Sequence, residues 1–349
     1  MSLSSLSASR RVLVAVPVAV LWLVGLGASA TAQPGTTYHV ARRLPVGGEG
    51  GWDYLMVDAA TGRLFVSHAT KAVVIDLATE QVIGEVTPAP GIHGIAIAPG
   101  LARGFTSNGR DTSVTVFDLA TLAVIGRVKV TGANPDAIWV DGATNRVFTF
   151  NGRGQNATAF DAATLQVLGT IPLKAKPEFA QDDAAGTVFV NLEDTHLMAV
   201  IDARALRVTK TYDLTGCDEP TGLALDRLAR RLISVCGGNK TMIVSDPTAG
   251  RVVATLPICE GADAVAYDAA TRLAFASCGD GFLTVVQKDS PDVWRVVATV
   301  PTARGARTMT LDPRTHRLYL PVAEYGPPAQ AGGRPTMVPG SFAILVVEP

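Results

Sequence analysis

Seven residues, Asp53, His93, Asp136, Glu178, Thr221, Asp263 and Arg307, each hold the second position of a similar short segment, from Trp52-Asp53-Tyr54-Leu55 to Ala306-Arg307-Thr308-Met309. Their spacing of 40 to 44 residues puts them on equivalent points of a repeat. If those points converge, four carboxylates, one imidazole and one guanidinium meet in one place. Asp53, His93 and Asp136 belong to consecutive units, and oxygen plus imidazole donors suit a divalent metal ion with open positions. A second chemistry uses the same ring without metal: Arg307 grips a carboxylate while His93 or Glu178 moves a proton, as in lactone or ester chemistry. The competing expectation is a polar channel mouth whose groups pair with one another and with backbone. No H-x-x-x-H, C-x-x-C-H, G-x-S-x-G or phosphate-loop pattern selects among these.

Four cysteines carry a second regularity. Cys217 and Cys236 are 19 residues apart, as are Cys259 and Cys278, and the pairs are displaced by 42, one repeat. In each unit the first cysteine precedes the first strand and the second follows the second strand, so antiparallel pairing brings both to one rim. Two homologous disulfides are expected in an exported chain. Pairing Cys236 with Cys259 would strand the other two, and a four-thiolate zinc site needs all four to converge.

These residues are positioned by a repeat seen most clearly from Asn134 to Lys174, where four short runs rich in Val, Ile, Phe and Thr lie between Asp-Gly, Asn-Gly and Asp-x-x-Thr turns. Such runs read as four antiparallel strands. One sheet of this kind cannot bury both apolar faces, so copies must stack face to face. Seven copies make an all-β fold, a seven-bladed β-propeller of four-stranded antiparallel blades. The last unit lacks a fourth strand. Tyr38 to Val46 has the fourth-strand pattern and precedes the first unit, so it is expected to pair with Phe342 to Val347 and close the ring.

Turns such as Asp58-Ala-Ala-Thr61, Asp76-Leu-Ala-Thr79 and Asp118-Leu-Ala-Thr121 recur on one rim, where an aspartate accepts backbone N–H groups. The other rim differs in every blade, and the seven ring residues lie on it. There the seventh blade carries a 19-residue insertion, Ala323 to Ser341, with four prolines and four glycines. It is not expected to continue a strand, and reads as a flap over the axial mouth with Glu324 and Tyr325 beside Arg307 and Asp53.

Residues 1–32 combine Arg10 and Arg11, the apolar run VLVAVPVAVLWLVGLGASA and A-x-A triplets, as an export signal does. An uncleaved anchor is the alternative. Residues 33–349 then form a single propeller domain, secreted or periplasmic, monomeric and without a membrane span. Removing two arginines and no acid from the 30 basic and 31 acidic residues leaves a formal charge of −3, which disfavours nucleic acid as a partner.

The second strands Leu64-Phe65-Val66-Ser67, Gly104-Phe105-Thr106-Ser107-Asn108, Val147-Phe148-Thr149-Phe150-Asn151 and Val188-Phe189-Val190-Asn191, with third strands ending in Ile75-Asp76, Phe117-Asp118, Phe160-Asp161 and Ile201-Asp202, carry a family likeness. Over the whole mature chain the protein resembles the YVTN-repeat, or YncE-like, family of exported seven-bladed propellers. Phe replaces the name-giving Tyr in most units, Tyr319 keeps it, and the fifth and sixth units drift to Ser-Val-Cys and Ala-Ser-Cys. The resemblance implies fold and export. It is compatible with a binding or scaffold protein that holds a small molecule or an envelope protein, and with a propeller enzyme of lactonase or lyase type.

Non-reducing peptide mapping of the exported protein is expected to recover Cys217 linked to Cys236 and Cys259 linked to Cys278. Four free thiols would contradict the pairing.

Overall fold

The computed structural model describes residues 37–328 and 335–349. The expected export segment, residues 1–32, lies outside the described residues.

Seven four-stranded antiparallel sheets follow one another along the chain, and regular helix among the described residues is confined to two 3-10 turns. In the third blade the strands Pro135–Asp141, Arg146–Asn151, Asn156–Asp161 and Val167–Pro172 pair in sequence order. Five other blades repeat that order, and the seventh is completed from the far end of the chain. His39–Pro45 pairs antiparallel with Ala343–Glu348, from His39 opposite Glu348 to Pro45 opposite Ala343, with one bulge between Val40 and Arg42. The closing strand expected from the sequence is therefore present, and the seventh blade has four strands like the others.

Side chains alternate across a strand, so each blade presents two apolar faces. Seven buried clusters result, one between each pair of neighbouring blades. A single repeat position supplies one residue to each cluster: Phe65, Phe105, Phe148, Phe189, Ile233, Phe275 and Tyr319 are all buried. The recurrent aromatic of the second strands is thus the filling of the blade interface.

The outer strands interlock by a second device. Val124–Lys129 bulges between the partners of Val116 and Phe117 and places Gly126 where a side chain would meet Leu165 of the next blade, 2.9 Å from a Cβ built there. Leu165 stands at φ 65° in its turn. Gly84 with Leu122 and Gly169 with Leu206 repeat the arrangement. At the closure the pair changes chemistry: Arg42, at the same bulge position, meets Glu80 of the first blade and Glu348 of its own. The seam between the chain ends is held by a charge pair where the three seams that follow it along the chain use a leucine in a glycine notch.

The recurrent turn aspartates bind backbone as expected. Asp76 takes the N–H of Ala78 at 3.1 Å and of Thr79 at 2.7 Å, and Asp118 and Asp161 do the same in their blades. Both expected disulfides are formed, with Cα separations of 5.3 and 5.8 Å.

Deleting Tyr38 to Val46 is expected to lower the melting temperature of the whole ring, because the seventh blade loses a strand and the clusters on both of its faces lose Tyr38 or Leu44. Circular dichroism melts of the two proteins decide it, and a truncated chain that melts with its parent would contradict the closure.

Candidate functional site

The first strand of every blade begins at the same rim, and small polar side chains on the second strands fix where several of them begin. Ser67 accepts the N–H of Asp53 at 2.7 Å, and Ser107 accepts that of Gly94 at 2.8 Å while donating to the carbonyl of Asp136 in the next blade. Asn191 donates to the Thr221 and Gly222 carbonyls, and Ser277 donates to that of Arg307. Thr308 donates to the Asp53 carbonyl at 2.8 Å and so ties the last blade to the first. These clamps are buried, where a hydrogen bond lost would leave a costly orphan, so they hold the ring positions firmly.

All seven ring residues line one cavity of about 380 Å³ at the axial mouth. Their side chains do different things there. His93 and Asp53 form a hydrogen-bonded pair, Nδ1 to Oδ2, at 2.7 Å, and Asp136 Oδ1 stands 3.6 Å from the same nitrogen. One ligand atom from each of these three lies within 4.8 Å of the other two. Nε2 of the same ring faces Gly109, where a Cβ would come within 2.7 Å, so a side chain at 109 would displace the imidazole. Arg307 reaches Asp263 at 3.3 Å. Thr221 spends its hydroxyl on the Ala262 carbonyl at 3.0 Å and is part of the frame.

Lys176, Glu193, Glu219 and Tyr54 also line the cavity. Lys176 pairs with Glu178 at 2.7 Å and with Glu193. Its position just before Pro177 places it on the inter-blade connection, a place outside the repeat index that located the other residues. Tyr54 leaves the first blade, rests its ring on Phe179 of the fourth at 5.1 Å and offers its hydroxyl to Glu178 at 3.5 Å. It crosses the channel and floors the cavity.

Not every polar side chain at this rim faces the mouth. Asn108 and Asn151 turn into their own hairpins, each donating to a threonine at 3.0 Å, and His68 is buried against Phe342 with ring centroids 4.1 Å apart. The seventh-blade insertion does form strands, a hairpin of Tyr325–Pro328 with Pro335–Met337, because the prolines occupy edge positions of a two-stranded ribbon. Residues 329–334 lie outside the described residues. Glu324 pairs with Arg43 at 3.0 Å, not with Arg307, and Tyr325 lies 6.4 Å from Trp52. None of the insertion's described residues lines the mouth.

Six carboxylates face two permanent cations and one imidazole in this cavity. Burial, reinforced by Asp53, pushes Asp136 up to about 7, and burial pushes Asp263 up to about 6 against the pull of Arg307. Burial and Asp136 also raise Glu178, with Lys176 pulling the other way. For His93, burial acts against the charged ring, but the Asp53 hydrogen bond and the two carboxylates outweigh it and raise its pKa. The mouth thus has a higher affinity for protons than its residue types have in water.

Neither a protein-family model nor a curated protein matches the chain. Solved structures do. A chain of the Kuenenia stuttgartiensis hydrazine synthase aligns at 16% identity and TM-score 0.68, over 84% of this chain and 97% of its own. A chain of a mitotic checkpoint complex aligns at 11% identity and TM-score 0.74, over 96% of this chain and 99% of its own. The likeness is one of fold. At such identities it carries no activity across, since propellers host unrelated chemistries.

The raised groups give a pH dependence with a definite sign. A carboxyl whose folded pKa exceeds its ordinary 3.8 adds stability that is complete below that value and is lost as pH rises through about 6 for Asp263 and about 7 for Asp136. His93, raised from 6.5, acts in the same direction at the top of this window. Turn aspartates held down by backbone N–H groups, such as Asp76 and Asp118, lose their contribution only as pH falls below the ordinary 3.8. In chelator-treated protein the melting temperature should therefore fall between pH 5 and about pH 7.5, and Asp136→Asn should flatten the fall. An Asp136→Asn profile parallel to the parent's would contradict the assignment.

Proposed function

We propose that this is an exported, YVTN-like propeller that binds a small molecule at its axial mouth, through a divalent cation held by Asp53, His93 and Asp136. The observation that carries the reading is the approach of one imidazole nitrogen and two carboxylate oxygens to within 4.8 Å of one another on three consecutive blades. Such a mixed donor set suits a first-row divalent ion and leaves positions open toward the cavity. The excess of carboxylates makes a cation the natural counter-charge, in competition with the protons that burial favours on Asp136 and Asp263. Lys176 and Arg307 line the same cavity and favour a ligand with an anionic group, such as a carboxylate, that reaches the ion. Export is supported by the signal-like residues 1–32 and is compatible with two disulfides and with the absence, among the described residues, of a helix long and apolar enough to cross a membrane.

A second reading, a metal-assisted or acid–base enzyme of lactonase or lyase type, draws on the Asp53–His93 pair and on carboxyls poised to exchange protons near neutral pH. It requires turnover, and a panel of lactones and esters with and without added metal separates it from binding alone.

Calorimetric titration of the chelator-treated protein with Zn²⁺ and Mn²⁺ tests the primary reading. One equivalent per chain is expected, with at least about tenfold weaker binding in His93→Ala and in Asp136→Asn, each lost ligand weighing 1.4 kcal/mol or more. Absence of stoichiometric binding by either ion, or binding that both variants retain, would overturn it and return the residues to mutual pairing in a wet channel.

A further inference from the structure

Beneath the floor made by Tyr54 the channel continues as a second cavity of different character, about 220 Å³ in volume. Its walls are the inner strands Leu55–Asp58, Ile92–Ala98 and Pro135–Asp141, together with Phe179. Met56, Ile97, Trp139 and Phe179 give it apolar and aromatic sides, and Tyr54 roofs it. No carboxylate, ammonium, guanidinium or imidazole lines it, in contrast with the mouth a few residues away along the same strands.

The aromatic walls are held in place. Trp139 donates its indole N–H to Asp182 at 3.2 Å, and Arg227 anchors the same carboxylate oxygen at 2.8 Å. Trp139 also meets Phe179 edge to face with centroids 6.1 Å apart, while Phe179 packs on Tyr54. The indole is therefore oriented with its polar atom spent outside the cavity and its ring left as wall. A pre-oriented aromatic surface loses little freedom when a ligand arrives.

We infer that this lower chamber is a binding site for a small uncharged aromatic molecule of one or two fused rings, distinct from the ligand site at the mouth. Size permits it: an apolar cavity of roughly 150 Å³ already takes up benzene. Charge selects it, because a carboxylate or ammonium entering here would give up its water with no counter-ion among the walls. The inner strands are paired on one side only, so their free edges offer backbone N–H and C=O groups to a single polar substituent such as a phenol hydroxyl or an indole N–H. Stacking against Trp139 and Phe179 would supply the remaining affinity.

The test uses the intact protein labelled with ¹³C-methyl methionine, with the Met56 signal assigned through Met56→Leu. Indole and phenol are titrated as probes, with benzoate and benzylammonium as charged counterparts. Saturable shifts of the Met56 methyl by indole or phenol, with at least about tenfold weaker binding of both charged probes, are expected. Ile97→Trp, which fills the chamber, should abolish the shifts, and Trp139→Leu should weaken binding severalfold; should Ile97→Trp not fold, Trp139→Leu and the probe comparison decide. His93→Ala, at the mouth, should leave the indole titration unchanged, which separates this site from the cation site. No saturable shift up to the solubility limit of the probes, equal binding of benzoate, or indole binding unaffected by Trp139→Leu would each overturn the inference.

Discussion

A four-stranded blade has two apolar faces and no means of covering either. That constraint governs the molecule. Each of the seven clusters is shared by two blades, so no blade is buried until its neighbours are in place and the last has met the first. The buried Phe at one repeat position is the agent of this coupling, and Tyr319 serves it at the junction where Phe342 also enters the core. Closure through His39–Pro45 then removes the ends that a linear stack would expose.

Stacking also creates the site. The ring residues lie on separate blades some forty positions apart, yet clamps such as Ser107 to the Asp136 carbonyl and Thr308 to the Asp53 carbonyl tie each strand start to the next. The same buried hydroxyls that satisfy the frame therefore set the distances among Asp53, His93 and Asp136. A cavity built this way is pre-organised, because its side chains stand on a scaffold that cannot shift at one blade alone.

Electrostatics divides the channel along its length. Above Tyr54, carboxylates outnumber cations and retain protons that water would remove. Below it, the walls are Met, Ile, Trp and Phe. The phenol of Tyr54 suits the boundary, with its hydroxyl toward Glu178 and its ring against Phe179.

The repeat length, the four-strand pattern, the closing strand, the disulfide pairing and the rim that carries the ring were all legible in the sequence, because each depends on local periodicity or on an offset that recurs from blade to blade. Residues that break the period were not. Lys176 sits between units, Tyr54 acts across the channel on the fourth blade, and the 323–341 insertion pairs with itself and with Arg43. Nor did the pattern tell that Thr221 and Asn151 serve the frame while Asp136 faces the cavity, since a hydroxyl or amide is assigned by the partner it meets. Sequence determined the fold because burying blade faces is a repeated, nearest-neighbour problem. Which side chains share a proton, a cation or an apolar chamber was decided only when seven strands converged on one axis, where distance in space no longer follows distance along the chain.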